Sequence, residues 1–293
     1  MEFTLLGTGC PICDPDRLGP ANLVRHNELA FLVDCGSGAT QRMVAAGSAG
    51  AALEAVLFTH LHSDHTIDLM QLILSSWHQG RAKPQKIFGP AGTRKFVEAH
   101  LALWKPEFDQ RIAHEKRAST AALTAEIVEF EEGEIWRGGD LTVSAFKVEH
   151  APIKNAVGFV FQSANRKLVF SGDTRVSANL IAHASGADVL VHECYVHYEI
   201  KLGPGRTEEG MRNVASYHTL ADQVGKVATQ AGVKCLVLNH FVPTKFDRKG
   251  LLAMVRQDYA GPIVIGEDLM AFDVDHGVLN HKSGVIGLGD ART

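Results

Sequence analysis

The chain alternates between short apolar runs and longer amphipathic stretches, a pattern that predicts a mixed α/β protein. The runs are rich in Val, Leu and Phe and are bounded by polar or glycine-containing segments, which favours strands. Eight runs fit this description, at residues 3–6, 29–34, 55–59, 141–149, 157–162, 167–171, 188–192 and 234–239.

Two stretches have the apolar period of a helix. In residues 66–78 the apolar positions recur every three or four residues and form one stripe. In residues 219–230 a similar stripe begins where Thr219 and Asp222 have capping-box spacing, and Gly232 follows as a stop signal. We therefore predict one helix in each stretch.

The remaining segments give weaker signals. Residues 91–104 and part of 247–257 are predicted to be helical, and residues 105–125, polar and alanine-rich, are interpreted as a lid or a partner surface. Residues 276–293 carry several glycines and are predicted to be loosely ordered. Because no low-complexity linker or fixed repeat interrupts the chain, we expect a single domain over residues 1–293.

The composition limits the class of protein. The 293 residues are 45% hydrophobic and 21% charged, with no apolar run of membrane-spanning length and no signal-peptide layout, so we expect a cytoplasmic protein without membrane contact. A net charge of -4 gives no overall attraction to nucleic acid. The five cysteines are scattered, which predicts reduced thiols, and the CPIC stretch at residues 10–13 is a weak metal or redox signal.

Metal-binding residue types stand where several predicted strands end. They are His60, His150, Asp173, the pair His192 and Glu193, and His240. In layered α/β structures, functional sites gather beyond the carboxyl ends of strands, where loops converge on a rigid sheet. The sequence therefore predicts a site built from five separate strands.

The stretch FTHLHSDHTIDL, residues 58–69, concentrates this chemistry. His60 and His62 lie two residues apart in a loop that leaves a strand, so both imidazoles can reach one ion. Asp64 and His65 are adjacent and can face a second ion nearby. Imidazole and carboxylate ligands without cysteine favour a catalytic metal site over a structural zinc site.

The segment HLHSDH resembles the HxHxDH signature of the metallo-β-lactamase fold superfamily. LLGTGCP, LVDCGSG, FGPAGT, FSGDT and LVHECY follow the order seen in its tRNase Z and arylsulfatase-like branch. The resemblance implies an αββα sandwich of two mixed sheets, with helices on the outer faces and a dinuclear metal centre at one edge.

The resemblance also implies the ligands of two divalent ions, zinc first, with manganese or iron as alternatives. His60, His62 and His150 would bind one ion; Asp64, His65 and His240 would bind the other; and Asp173 would bridge both. A carboxylate has two oxygens and can span two metals about 3.5 to 4 Å apart, and a bridging hydroxide between them would be the nucleophile.

Four further roles follow from the same resemblance. His218 and Glu193 are predicted to be catalytic residues that assist the leaving group, and Asp64 is counted as catalytic as well as a ligand. Asp34 is predicted to orient the metal-binding loops without contacting metal, although an aspartate that begins a glycine-rich turn explains the position equally well.

Three departures from the tRNase Z pattern bear on the substrate. The branch carries a protruding tRNA-binding arm between its third-motif histidine and the bridging aspartate, but here residues 151–172 are taken up by two strands. YHTL stands where that family has GHST, and HECY stands where it has HEAT. The basic residues after the first helix, at 81–95, fit a solvated face better than a phosphate-tracking groove.

These departures lead us to predict an arylsulfatase-like hydrolase of sulfate, phosphate or carboxylic esters in a small molecule, with nucleic acid disfavoured as a partner and a homodimer expected. The first alternative is a tRNA 3′-processing endonuclease that lacks the arm. The alternative from a different class is a non-catalytic binding module stabilised by metal. It would bind metal but turn over no substrate.

Overall fold

The computed structural model describes residues 1–281 and 284–287 and arranges them in two β-sheets flanked by helices. The described strands are β1 (Glu2–Gly7), β2 (Ala21–His26), β3 (Leu29–Val33), β4 (Ala55–Leu57), β5 (Gln85–Pro90), β6 (Ala125–Phe130), β7 (Gly133–Gly138), β8 (Leu141–Lys147), β9 (Val157–Gln162), β10 (Lys167–Phe170), β11 (Val189–Tyr195), β12 (Leu236–Val242), β13 (Ile263–Ile265), β14 (Ala271–Asp273), β15 (Val278–His281) and β16 (Gly284–Gly287). The described α-helices are α1 (Ala39–Ala45), α2 (Leu69–His78), α3 (Thr93–Glu115), α4 (Ala178–His183), α5 (Glu208–Ala215), α6 (Ala221–Ala231) and α7 (Arg248–Arg256).

Both sheets mix parallel and antiparallel neighbours. The first sheet has the order β16-β15-β14-β1-β2-β3-β4-β5-β6 and is parallel from β3 to β6. The second has the order β13-β12-β11-β10-β9-β8-β7 and is parallel from β10 to β13. Three of the predicted metal ligands, His60, Asp173 and His240, lie at or near the carboxyl ends of the parallel strands β4, β10 and β12.

Three apolar layers hold the sheets and helices together. Phe3, Phe159 and Phe170 belong to the layer between the two sheets. Trp77 of α2 belongs to a second layer, under the helices of the first sheet, and Val224 of α6 to a third, on the outer face of the second sheet. Burying one such side chain stabilises the fold by about 1.5 to 3 kcal/mol. The predicted αββα sandwich is confirmed.

All eight predicted apolar runs form strands, but the strands at the sheet edges are absent from the prediction. Strands β6 and β7 end the two sheets, and their polar residues leave them half-exposed. Edge strands need a less apolar sequence because one face or one side meets water. The search for apolar runs therefore misses these edge strands. It also misses β2 and β5, which lie inside the first sheet but whose apolar positions are interrupted by polar residues such as Arg25 and Lys86.

Helix α3 is longer than predicted. The segment 91–104 was expected to end before residue 105, yet the helix continues through Pro106 to Glu115. The buried ring of Phe108 anchors this second half. The segment 105–125, interpreted as a lid or partner surface, thus consists of the end of α3, a connection and the first residue of β6.

The start of α6 differs from the predicted capping box. The N-cap is Leu220, whose N–H donates to Gln223 Oε1 at 3.2 Å. The Thr219 hydroxyl instead donates to the Thr174 carbonyl at 2.6 Å, a contact between distant segments that local sequence cannot reveal. The predicted stop at Gly232 is confirmed, because this residue adopts the left-handed conformation with φ +62°.

The predicted loose tail contains paired strands where it is described. Strand β15 pairs with both β14 and β16. Residues 282–283 and 288–293 lie outside the described part of the chain. None of the helices in the described part combines the length and the hydropathy needed to cross a lipid bilayer.

Candidate metal centre and active site

The predicted ligands meet at one edge of the sandwich. His60, His62, Asp64 and His65 lie in the loop and short 3-10 turn after β4, and His150 lies just beyond β8. Asp173 follows β10, and His240 lies within β12. One ligand atom from each residue falls into groups whose atoms lie within 4.8 Å of one another. The structure therefore brings all seven predicted residues together.

A β-bulge turns His240 toward this edge. Glu193 pairs with Asn239 and Cys194 pairs with Phe241, so His240 is the extra residue, and its φ is +44°. Its N–H donates to the Asn239 side chain at 2.8 Å rather than to the neighbouring strand. Bulges of this kind redirect a side chain next to a functional site.

The first group consists of three imidazoles and Asp173. His60 Nε2 lies 2.9 Å from His62 Nδ1, which lies 3.2 Å from His150 Nε2. Two imidazole lone pairs this close repel each other unless a proton or a cation lies between them. The spacing favours a shared cation, because one proton cannot satisfy all three nitrogens.

The second group consists of Asp64, His65 and His240. Asp64 Oδ2 lies 3.6 Å from His65 Nε2 and 3.4 Å from His240 Nε2. The Nε2 atom of His65 is buried and has no hydrogen-bond partner in the described part of the chain. A buried nitrogen without a partner is costly in an empty protein interior and is the expected state of a metal-binding nitrogen.

Asp173 joins the two groups. Its Oδ2 atom lies between 3.4 and 3.9 Å from one nitrogen of each of four histidines, namely His60, His65, His150 and His240. Burial opposes ionisation, but the imidazoles of His240 and His65 hold the pKa of Asp173 well below its usual range. The position suits a carboxylate that two cations share, so the residues present fit the implied metal ions.

Two of the clustered imidazoles are held in orientation by hydrogen bonds to the ring nitrogen that faces away from the cluster. Asp34 accepts from the His65 Nδ1–H at 2.8 Å and from the N–H and hydroxyl of Thr59, each at 2.8 Å. His150 Nδ1–H donates to the Tyr217 carbonyl at 3.0 Å. Such outer contacts set the tautomer so that Nε2 faces the cluster. Asp34 thus has contacts that suit the predicted orienting role.

His218 and Glu193 form a buried pair beside the cluster. His218 Nδ1 lies 2.8 Å from Glu193 Oε1, which also accepts from the Thr174 N–H at 2.8 Å. Burial lowers the pKa of His218, but the Glu193 carboxylate outweighs this effect and raises the pKa to about 9. His218 Nε2 is therefore free to carry a proton on the side away from Glu193.

Some residues around the site escaped the sequence prediction, and one predicted residue is not among the possible metal ligands. Thr59 and Thr174 contribute hydrogen bonds that require the coordinates to see. Tyr217 and Tyr195 flank His218, with ring centroids 4.9 and 5.8 Å from its imidazole. Their only sequence signal is that YHTL and HECY depart from the family pattern. His192, expected at this edge, belongs to none of the metal-capable groups found among the described residues.

Comparison with known proteins identifies relatives over most of the chain. A family model described as "Anti-Pycsar protein Apyc1" matches residues 1–202. The ribonuclease Z of Mycobacterium bovis (strain BCG / Pasteur 1173P2) is 37% identical over 279 residues, which cover 94% of this chain and 98% of that protein.

Solved structures agree on the fold. The short form of human tRNase Z has a TM-score of 0.71 and 21% identity, covering 94% of this chain and 99% of that one. The metallo-β-lactamase fold protein YhfI from Bacillus subtilis has a TM-score of 0.71 and 17% identity, covering 93% and 99%. At these identities the two structures show the fold alone.

The prediction of an arylsulfatase-like enzyme acting on a small molecule is wrong, and so is the prediction that nucleic acid is disfavoured as a partner. Relatives named ribonuclease Z match nearly the whole chain, which favours the first alternative. The missing arm was misleading. Residues 151–172 contain only β9, β10 and their connections. A relative named ribonuclease Z nevertheless aligns over 98% of its own length with 94% of this chain, so the absence of an arm does not argue against this family. The chain is a metal-dependent hydrolase, as predicted, and it belongs to the ribonuclease Z family of the metallo-β-lactamase fold.

Proposed function

We propose that this chain is a ribonuclease Z, an endonuclease that hydrolyses a phosphodiester bond of precursor tRNA near its 3′ end. The observation that carries the proposal is the 37% identity to a ribonuclease Z over 98% of that protein's length. The site adds chemical support, because a carboxylate surrounded by four imidazoles, next to a histidine–carboxylate pair, suits hydrolysis of a phosphate ester. A cytoplasmic location and a homodimer stay predictions.

The metal content is part of this proposal. His60, His62 and His150 would hold one divalent cation, Asp64, His65 and His240 would hold a second, and Asp173 would contact both. Zinc is the first choice, since imidazole and carboxylate suit it, and manganese or iron are alternatives. When bound, two such cations would neutralise charge on the phosphoryl group and lower the pKa of a water at the site.

His218 is proposed to supply a proton to the departing oxygen. As the water oxygen bonds to phosphorus, the water releases one proton to solvent, the bond from phosphorus to the departing oxygen breaks, and that oxygen takes the proton from His218 Nε2. Glu193 accepts the Nδ1–H and keeps the imidazole protonated and oriented. Cations bound nearby would favour the neutral imidazole and so oppose the rise that Glu193 causes in the pKa of His218.

Cleavage of a precursor tRNA with a 3′ trailer tests the proposed function. The protein, reconstituted with zinc or with manganese, is expected to release the trailer by one internal cut, and a chelator is expected to stop the reaction. A transcript of equal length without tRNA structure is the control substrate. Absence of cleavage with either metal, or equal cleavage of the unstructured transcript, would contradict the proposal.

A further inference from the structure

We propose that a cavity beside His218 binds the nucleobase adjacent to the scissile phosphodiester, an inference that rests on the proposed function. We call it the side cavity. It has a volume of about 300 Å³, and its main lining residues are Tyr195, Ile200, Arg206, Met211, Val214 and Val242. The volume lies at the lower end of the range for small-ligand pockets, which suits one nucleotide rather than a folded RNA element.

Tyr195 connects the side cavity to the catalytic pair. Its ring lies nearly parallel to the His218 imidazole, with an interplanar angle of 8° and centroids 5.8 Å apart, and it also lines the cavity. Its N–H donates to the Thr219 carbonyl at 2.9 Å, which fixes it to the segment between α5 and α6. A nucleotide in the side cavity is therefore one aromatic ring away from the proposed proton donor.

The walls of the side cavity have the chemistry that a base prefers. Helix α5 has no fully buried residue, and its apolar side chains Met211 and Val214 are only half-buried where they line the cavity. Ile200 and Val242 are also half-buried. Apolar and aromatic surfaces of this kind bind the faces of bases with little dependence on sequence.

Arg206 supplies a positive charge to the wall of the side cavity. Its side chain is exposed, and no carboxylate lies within ion-pair distance in the part of the chain that the structure describes. Its guanidinium donates only a long bond, of 3.5 Å, to the Lys201 carbonyl among the described residues, and a guanidinium without a carboxylate partner suits a phosphate of the RNA backbone.

Tyr217 places a second aromatic ring beside His218 and the proposed metal ligand His150. Its ring is half-exposed and lies 5.0 Å from His150 and 4.9 Å from His218. The two tyrosines occupy the positions where YHTL and HECY depart from GHST and HEAT. The departures thus place one aromatic ring at the side cavity and a second beside the proposed metal centre, and both rings contact His218, along which a splayed nucleotide would lie.

Nucleotide binding tests the inference without turnover. Titration calorimetry of the zinc-loaded protein measures the Kd of each of the four nucleoside 5′-monophosphates and of inorganic phosphate. At least one nucleotide is expected to bind about tenfold more tightly than phosphate, because the base adds stacking in the side cavity. Val214→Trp fills the cavity, so the nucleotide should bind no more tightly than phosphate, while the Kd of phosphate stays the same. Leu103→Trp, on the exposed face of α3, is the matched control.

Equal affinity for phosphate and for all four nucleotides would overturn the inference. It would also be overturned if the ratio of the Kd of phosphate to the Kd of the nucleotide were the same in Val214→Trp as in the unsubstituted protein. Cleavage provides a second readout. An abasic residue next to the cleavage site of precursor tRNA should raise the KM of the unsubstituted protein but not that of Val214→Trp. If no precursor tRNA is cleaved at all, the proposed function fails, whereas the titration still decides whether the side cavity binds a base.

Discussion

Three imidazoles of the proposed metal centre carry a hydrogen bond on the ring nitrogen that faces away from the cluster. The partners are the Thr59 hydroxyl for His60, Asp34 for His65 and the Tyr217 carbonyl for His150. The HxHxDH motif predicted the four proposed ligands at residues 60–65, whose spacing is local, and the resemblance supplied His150, Asp173 and His240. The partners were harder to predict, since a threonine hydroxyl and a backbone carbonyl have no sequence signature and gain their role only from the fold.

Removal of the His218 imidazole separates catalysis from metal binding. We expect His218→Ala to lower kcat on precursor tRNA by roughly 100-fold to 10,000-fold, the usual contribution of a positioned acid, with the metal content unchanged. His114→Ala, an exposed histidine on α3, should have no effect. Steady-state kinetics with metal analysis checks this, and a kcat within twofold of the unsubstituted protein would remove His218 from the mechanism.

The His218–Glu193 pair also predicts a pH dependence. If His218 donates a proton, kcat falls as the pH rises through the pKa of its imidazole, which the Glu193 carboxylate raises. Glu193→Gln removes that charge, so the alkaline fall in kcat should move to lower pH. The kcat–pH profiles of the two proteins measure the shift, and profiles with the same alkaline limb would show that Glu193 does not tune His218.

At the scale of elements, the turn after β10 decides where Asp173 lies. Gly172 has φ +59°, and a Cβ there would approach the Val157 carbonyl oxygen to 2.5 Å. The apolar run at 167–171 predicted the strand, and SGDT in the resemblance predicted the aspartate. Neither revealed how closely β9 packs against this turn, because that contact depends on the sheet order.

We expect Gly172→Ala to destabilise the protein and to weaken metal binding together. Gly186→Ala is a matched control, since Gly186 has φ +64° but open space around it. The control should lose about 1 to 2 kcal/mol from the left-handed conformation alone. Gly172→Ala should lose more because of the clash. Denaturant unfolding and metal titration test this, and equal losses in the two variants with unchanged metal affinity would contradict it.

At the scale of the whole molecule, the sandwich was predictable and the substrate was not. Central strands carry a strong apolar signal, and the ligand motifs fix which edge is functional. The substrate prediction failed because it relied on departures from the family pattern, above all the missing arm, whereas the relatives named ribonuclease Z match this chain over nearly their whole length. The proposed binding of tRNA would depend on surfaces assembled from distant segments, such as the side cavity between Tyr195 and α5.

The central claim is that the seven clustered side chains hold two metal ions with Asp173 between them. Metal content per chain, measured by mass spectrometry after exhaustive dialysis against metal-free buffer, tests it most directly. The unsubstituted protein and Asp109→Asn, an exposed aspartate on α3, should retain two divalent ions, and Asp173→Asn should retain fewer than one. Full metal retention in Asp173→Asn, or no bound metal in the unsubstituted protein, would contradict the account.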